Sequence, residues 1–220
     1  ALSAVSELNN GDVLLLENVR FYSEEERDSD AFSAKLAELA DIYVNDAFGV
    51  AHRAHASNHG VTEFLPSYMG LLLEKEVSVL TSIMKQPDRP FLGIIGGSKV
   101  LSKITVLKNL LGVVDTLIIG GGMAFTFFKV MGKEIGKSLL DEEGLSIAEE
   151  FLTLSKQSKT RVVFPVDQCV ANEFDNDADV KLVSIDDIPV NMMGLDIGPK
   201  TCSIIQEEID QAQTIIWNGP

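Results

Sequence analysis

The chain has 220 residues, 45% of them apolar, enough to bury one large core or two modest ones. Its 33 acidic residues against 18 basic ones leave a formal charge of −15. That balance excludes broad binding to nucleic acid or anionic membranes, because nothing general would offset phosphate repulsion, so any anion site has to be built locally. Two distant cysteines, Cys169 and Cys202, show no CxxC spacing, which suits a reducing compartment and speaks against a disulfide scaffold or a zinc ribbon.

No apolar run approaches the roughly 20 residues of a membrane span. The opening ALSAVSELNNGD lacks the basic and apolar regions of a signal peptide. With no initiator Met and a last stretch, WNGP, directly after a strand-like run, the chain reads as an internal fragment of a longer protein.

In chain order, β-branched runs alternate with stretches of helical spacing, the pattern of βαβ units that build a parallel sheet. Strands are predicted at 13–20, 42–48, 91–97, 116–122, 161–166 and 214–218. Helices are predicted at 30–39, 70–84, 99–111, 124–131, 142–156 and 203–212. The helix at 70–84 ends in Gln86-Pro87-Asp88-Arg89-Pro90, a strong stop, and suits either a connector between domains or an ordinary packed helix. In an open parallel sheet, ligands bind beyond the carboxyl ends of the strands, so the residues that close each strand matter most.

The first such closure is Gly96-Gly97-Ser98-Lys99, opening a helix that also carries Lys103. Glycines admit a close backbone approach, a helix N-terminus offers free N–H donors, and lysines at i and i+4 would share one face. This is a phosphate cradle in outline, or a tight turn with two solvated lysines. It is neither a P-loop nor a dinucleotide fingerprint, since GxxxxGK[ST] and GxGxxG are both absent.

A second strand closes at Gly120-Gly121-Gly122, which would admit a flat ligand such as a base or serve tight strand–helix packing. A third closes at Asn218-Gly219-Pro220. Earlier in the chain, Arg20 and Arg53 would reach the carboxyl edges of neighbouring strands, an arrangement suited to bidentate binding of carboxylate or phosphate, or to surface ion pairs. His52, His55 and His59 would share a helix face at i, i+3 and i+7 and so admit a metal reading, which Arg53 within the cluster opposes.

Taken together and in order, ENVRF, VNDAFGVAHRAHAS, GGSKVLSKI, GGGMAF, MGLDIGP and WNGP resemble phosphoglycerate kinase along essentially the whole chain. The resemblance implies a two-lobed α/β fold with parallel sheets and flanking helices in three layers. The remainder of a phosphoglycerate-binding lobe would occupy 1–68, a connector helix 69–85, and an incomplete nucleotide-binding lobe 86–220. By the same resemblance Arg20, Arg53, His52 and His55 would hold the phosphoglycerate. Lys99 would be the catalytic residue, set against the phosphoryl group in flight. Gly97, Lys99, Lys103, Gly121, Gly122, Gly194, Leu195, Asn218 and Pro220 would bind ADP or ATP.

The implied reaction moves a phosphoryl group between 1,3-bisphosphoglycerate and ADP, giving 3-phosphoglycerate and ATP. Magnesium would come with the nucleotide, its protein ligand lying outside these residues. The implied protein is a cytoplasmic or plastid monomer that binds no nucleic acid or membrane and closes its lobes about the connector.

Departures accompany the match. Segments like RVDFN, SHLGRP and the GGGD loop are absent, Leu101 stands where the family has a small or polar residue, and IPVNMMGLDIGP differs in its lead-in from IPDGWMGLDIGP. The alternative function is a nucleotide-binding fragment without catalysis.

Overall fold

The computed structural model describes residues 1–219, and the chain divides into two compact units, Ala1–Ser82 and Ile83 onward. The α/β class with parallel sheets and flanking helices holds.

The first unit opens with the short helix α1 (Leu2–Ser6) and an extended stretch, then a 3₁₀ turn at Val19–Phe21. Helices α2 (Ser23–Glu26) and α3 (Asp30–Ala37) follow. Strands β1 (Tyr43–Asn45) and β2 (Ser67–Met69) pair in parallel, Val44 opposite Tyr68. Helix α4 (Leu71–Lys85) buries none of its residues and runs across the division between the units.

The expected strand at 13–20 is not formed. Strand residues gain their backbone hydrogen bonds only from a neighbour, and none of the described strands pairs with this segment. Its side chains still alternate. Val13 and Leu15 are over nine-tenths exposed, whereas Leu14 and Leu16 are exposed to less than half that extent, and Leu14–Leu16 border an apolar groove with Tyr22, Phe32 and Leu36.

In the second unit, β3 (Phe91–Ile95), α5 (Val100–Leu110), β4 (Thr116–Ile119), α6 (Met123–Val130), α7 (Leu145–Gln157) and β5 (Arg161–Val163) follow the predicted alternation. The expectation of nothing but βαβ units then fails. Strands β6 (Asp167–Ala171), β7 (Val180–Ser184) and β8 (Met193–Ile197) form a separate antiparallel sheet in the order β7-β6-β8. Short runs joined through polar loops form hairpin-like pairs more readily than crossovers, and period-2 runs this brief carry little signal of their own.

Helix α8 (Pro199–Gln211) begins before the predicted residue 203, because Gly198 precedes it and Pro199 sits at its first turn, where a missing N–H costs nothing. Strand β9 (Thr214–Asn218) completes a four-stranded parallel sheet in the order β5-β4-β3-β9, with Ile95 opposite both Ile119 and Asn218.

Helix α6 has all of Met123–Phe128 buried and serves two cores at once. Met123 and Phe127 join Phe91, Ile119 and Phe151 beside the parallel sheet, while Phe125 and Phe128 join Val170 and Met192 beside the antiparallel one. Phe127 meets Phe151 edge-on at 5.5 Å between ring centres, a favoured aromatic geometry. A helix with an unbroken buried run of this kind is stable only where both faces are covered. Through α6 the two sheets bring their loop ends toward the Gly120–Gly122 segment.

Candidate functional site

The carboxyl ends of β3, β4 and β9 form one continuous rim. The Gly96 N–H donates to the Asn218 carbonyl at 2.9 Å, and the Gly120 N–H donates to the Ile95 carbonyl at 2.9 Å. Beyond the strands, the Met123 N–H donates to the Gly97 carbonyl at 2.9 Å, so the two glycine loops touch backbone to backbone. Gly121 shows why a side chain is excluded there. Its φ is +68°, and a Cβ would lie 2.8 Å from both the N and the O of Gly97.

Lys103 reaches the same rim. Its stem passes Gly97, with Cε 3.5 Å from where a Cβ would stand, and its Nζ donates to Asn218 Oδ1. Lys99 is exposed and occupies the N-cap of α5 in extended conformation, so the expected i, i+4 relation with Lys103 on one helical face does not hold. The helix starts one residue later than predicted. Lys99 still belongs to this rim, because its neighbour Ser98 places its Cα 3.6 Å from a Cβ built on Gly122.

The N-terminus of α5 is only partly free, since the Leu101 N–H donates to Asp141 Oδ2 at 3.2 Å. The Leu101 side chain is 45% exposed, which explains how this position tolerates a large apolar residue. Pro220 lies outside the described residues.

Gly121, Gly122, Gly194 and Leu195, far apart in sequence, line one cavity of about 220 Å³. That is below the roughly 300–1,000 Å³ of drug-sized sites and suits a smaller group. Two devices shape its wall. Cys169 lies opposite Asp196 and Val170 opposite Gly194, so Leu195 is the extra residue of a β-bulge on β8, a device that re-aims a side chain. Gly194 backs onto the Phe125 ring, where a Cβ would come within 2.7 Å of the ring edge, and its N–H donates to Ser138 Oγ at 2.9 Å.

Phe125, Leu139 and Gln168 also line the cavity and are not among the sequence-predicted residues. Phe125 lies in the GGGMAF run and was open to inference. Gln168 carries no signal in a strand that periodicity does not reveal.

In the first unit, Arg20 lies on the 3₁₀ turn, where its N–H donates to Asn18 Oδ1 at 3.0 Å, and Arg53 lies in a turn after Phe48–Val50. Neither ends a strand, so their expected delivery by neighbouring strands is replaced by delivery on turns. His52, His55 and His59 occupy turns, not a helix, which removes the spacing on which a shared metal-binding face depended.

Two of the three histidines have a carboxylate beside them, the buried His55 and the exposed His59. His55 is 8% exposed with Nδ1 3.8 Å from Glu25 Oε1, and His59 Nδ1 is 2.6 Å from Asp28 Oδ2, while His52 is exposed.

Glu25 and Asp28 are contributors that sequence reasoning missed. Glu25, 2% exposed, accepts from the Ser57 N–H at 2.9 Å and the Ser57 hydroxyl at 2.6 Å, and its own carbonyl accepts from the Ala56 N–H at 2.9 Å. Asp28, at φ +52°, accepts from the Gly60 N–H at 2.9 Å. Together they hold the histidine-bearing turn from both ends. The acidic run SEEERDSD beside ENVRF was the available signal.

The fold and the rim define an α/β protein with a glycine-lined cleft at the carboxyl ends of its parallel strands. A family model described as phosphoglycerate kinase matches residues 1–220. The chain is 49% identical over 216 residues to a phosphoglycerate kinase of Dictyoglomus turgidum, covering 98% of this chain and 54% of that protein. Among solved structures, phosphoglycerate kinase from Coxiella burnetii matches with a TM-score of 0.77 at 42% identity, over 92% of this chain and 52% of that one. The enzyme from Pyrococcus horikoshii matches with a TM-score of 0.81 at 29% identity, over 100% of this chain and 57% of that one. The chain belongs to the phosphoglycerate kinase family, and it spans about half the length of the relatives it matches.

Proposed function

We propose that the protein of which these residues form part transfers a phosphoryl group between 1,3-bisphosphoglycerate and ADP. The observation that carries this reading is the single rim on which Gly97, Gly121, Lys103 and Asn218 meet, next to the cavity of Gly122, Gly194 and Leu195. Backbone N–H groups and a lysine beside a base-sized cavity suit a nucleoside diphosphate whose phosphates run along the glycine loops.

Phosphoryl transfer needs alignment and positive charge on the equatorial oxygens rather than a covalent nucleophile. Lys99, free of any ion pair among the described residues and at the mouth of the rim, is assigned the transferring group. Lys103 and Gly97 are assigned the nucleotide phosphates, with Pro220 assigned to the same pocket by resemblance alone.

Arg20, Arg53, His52 and His55 are assigned the phosphoglycerate. Among the described residues no group of three or more His, Cys, Asp or Glu side chains could hold a metal, and magnesium is proposed to enter as the nucleotide complex. No described helix is long and apolar enough to cross a membrane. A cytoplasmic monomer in which 1–68 and 86–220 serve different substrates about the helix at 69–85 belongs to the same proposal.

The second reading is nucleotide binding without turnover by these 220 residues alone, favoured by their covering only about half of each relative. Coupled ATP formation from 1,3-bisphosphoglycerate distinguishes the two. We expect turnover from a protein of the relatives' full length that contains this sequence, and none from the 220 residues by themselves. Inactivity of the full-length protein would overturn the kinase assignment, and activity of the 220 residues would overturn the second reading.

A further inference from the structure

Gln168 is 3% exposed, yet its side-chain amide finds no hydrogen-bond partner among the described residues. No fully occluded side-chain polar atom is left unpartnered in the described residues. The amide's polar atoms therefore meet the cavity that Gln168 shares with Gly122, Leu195 and Phe125.

Strand alternation explains this aim. Asp167 turns to the N-terminus of α8, accepting from the N–H groups of Lys200 at 2.9 Å and Thr201 at 2.8 Å, so Gln168 faces the other side of β6. Val170, two residues on and on the same face, is packed with Phe125 and Phe128. The extra residue of the bulge is Leu195 on β8, and the pairing of β6 with β7 runs without a break, so the alternation along β6 is intact. A primary amide thus stands in a mostly apolar wall, with the exposed Asp196 as the other polar side chain that lines it. Burial without a partner is unfavourable, and a ligand presenting one donor beside one acceptor would satisfy both ends of the amide.

We propose that Gln168 is a specificity-determining residue that reads the hydrogen-bonding edge of the nucleotide base. In adenine, the exocyclic amine donates to Gln168 Oε1 while the adjacent ring nitrogen accepts from Nε2, the same two-point match by which amide side chains select adenine elsewhere. The assignment rests on the cavity's being the base site, as proposed above.

The test compares ADP with purine riboside 5′-diphosphate, which has the same ring system and phosphates but lacks the exocyclic amine. Equilibrium binding to the wild-type chain is expected to favour ADP by about 3- to 10-fold, the worth of one hydrogen bond to a buried partner. In Gln168→Leu that preference should fall to about one-fold, because the amide is gone while its volume is largely kept. The thermal midpoint of the ligand-free Gln168→Leu protein should be no lower than that of the wild type, since no internal hydrogen bond is removed.

Two results overturn the assignment while leaving the nucleotide site standing. One is ADP binding with an unchanged preference in Gln168→Leu, and the other is a marked loss of ligand-free stability in that variant. Failure of the wild-type chain to bind ADP at all would overturn the nucleotide reading and this assignment with it.

Discussion

At the rim, two kinds of residue do different work. Gly121 cannot carry a side chain, because its φ of +68° and the nearby backbone of Gly97 leave no room for one. Lys99 is exposed, and in the proposed reaction it would meet the charge that develops during transfer. Lys99→Ala, in a protein of full family length, is expected to lower kcat by about 10²- to 10³-fold with a smaller change in nucleotide KM, the signature of a contact made chiefly in the transition state. Steady-state kinetics would show this, and an effect confined to KM would demote Lys99 to substrate binding.

Asp167 belongs to this scale as well. Burial pushes its carboxyl up, but the Thr201 hydroxyl at 2.5 Å, the N–H groups of Lys200 and Thr201, and the Lys200 charge outweigh that and hold it below its ordinary value. A depressed folded-state pKa stabilises the fold above the carboxyl's unfolded pKa, and the contribution is lost as pH falls through the folded value. Acid unfolding of the wild type should therefore steepen below about pH 4, and Asp167→Asn should flatten that limb. Superimposable acid limbs would show that Asp167 contributes nothing to acid stability.

Among the elements, α6 matters most to the site. Its residues Met123–Phe128 are all buried, and it joins the core of the parallel sheet to that of the antiparallel one directly after the Gly120–Gly122 loop. Phe127→Ala would leave a cavity beside Phe151 and Phe164 and is expected to cost about 3–5 kcal/mol in a denaturant titration. A loss below about 1 kcal/mol would mean that the core collapses around the gap.

The segment at 13–20 makes the converse point. Its alternation is that of a strand, and the greater exposure of Val13 and Leu15 than of Leu14 and Leu16 keeps that pattern, yet strand structure requires a partner that the described residues do not supply. Local pattern states a preference, and pairing decides whether it is realised.

On the scale of the whole molecule, the formal charge is −15, so an anionic nucleotide at the proposed site would be held by close contacts and not by the general field. ADP is expected to slow amide exchange in Ile95–Lys103, Gly120–Phe125 and Met193–Ile197 while leaving Ala1–Met69 unchanged. Hydrogen exchange with mass detection reads this directly, and protection spread evenly over the chain would contradict a site confined to the rim.

Sequence by itself determined the α/β alternation from Phe91 to Val163, the connector-length helix, and the glycine and lysine residues of the rim, because these follow from nearest-neighbour geometry: where a chain must turn, where a Cβ cannot fit, where a helix must stop. Only the tertiary structure decided that Gly194 and Leu195 face Gly121 and Gly122, that Glu25 and Asp28 hold the histidine turn, and that Gln168 opens into the cavity. Those facts depend on which strands pair and which helix lies between two cores. Contacts between residues so far apart along the chain are chosen by burial and backbone pairing across the fold, and such choices leave no periodic trace in the sequence.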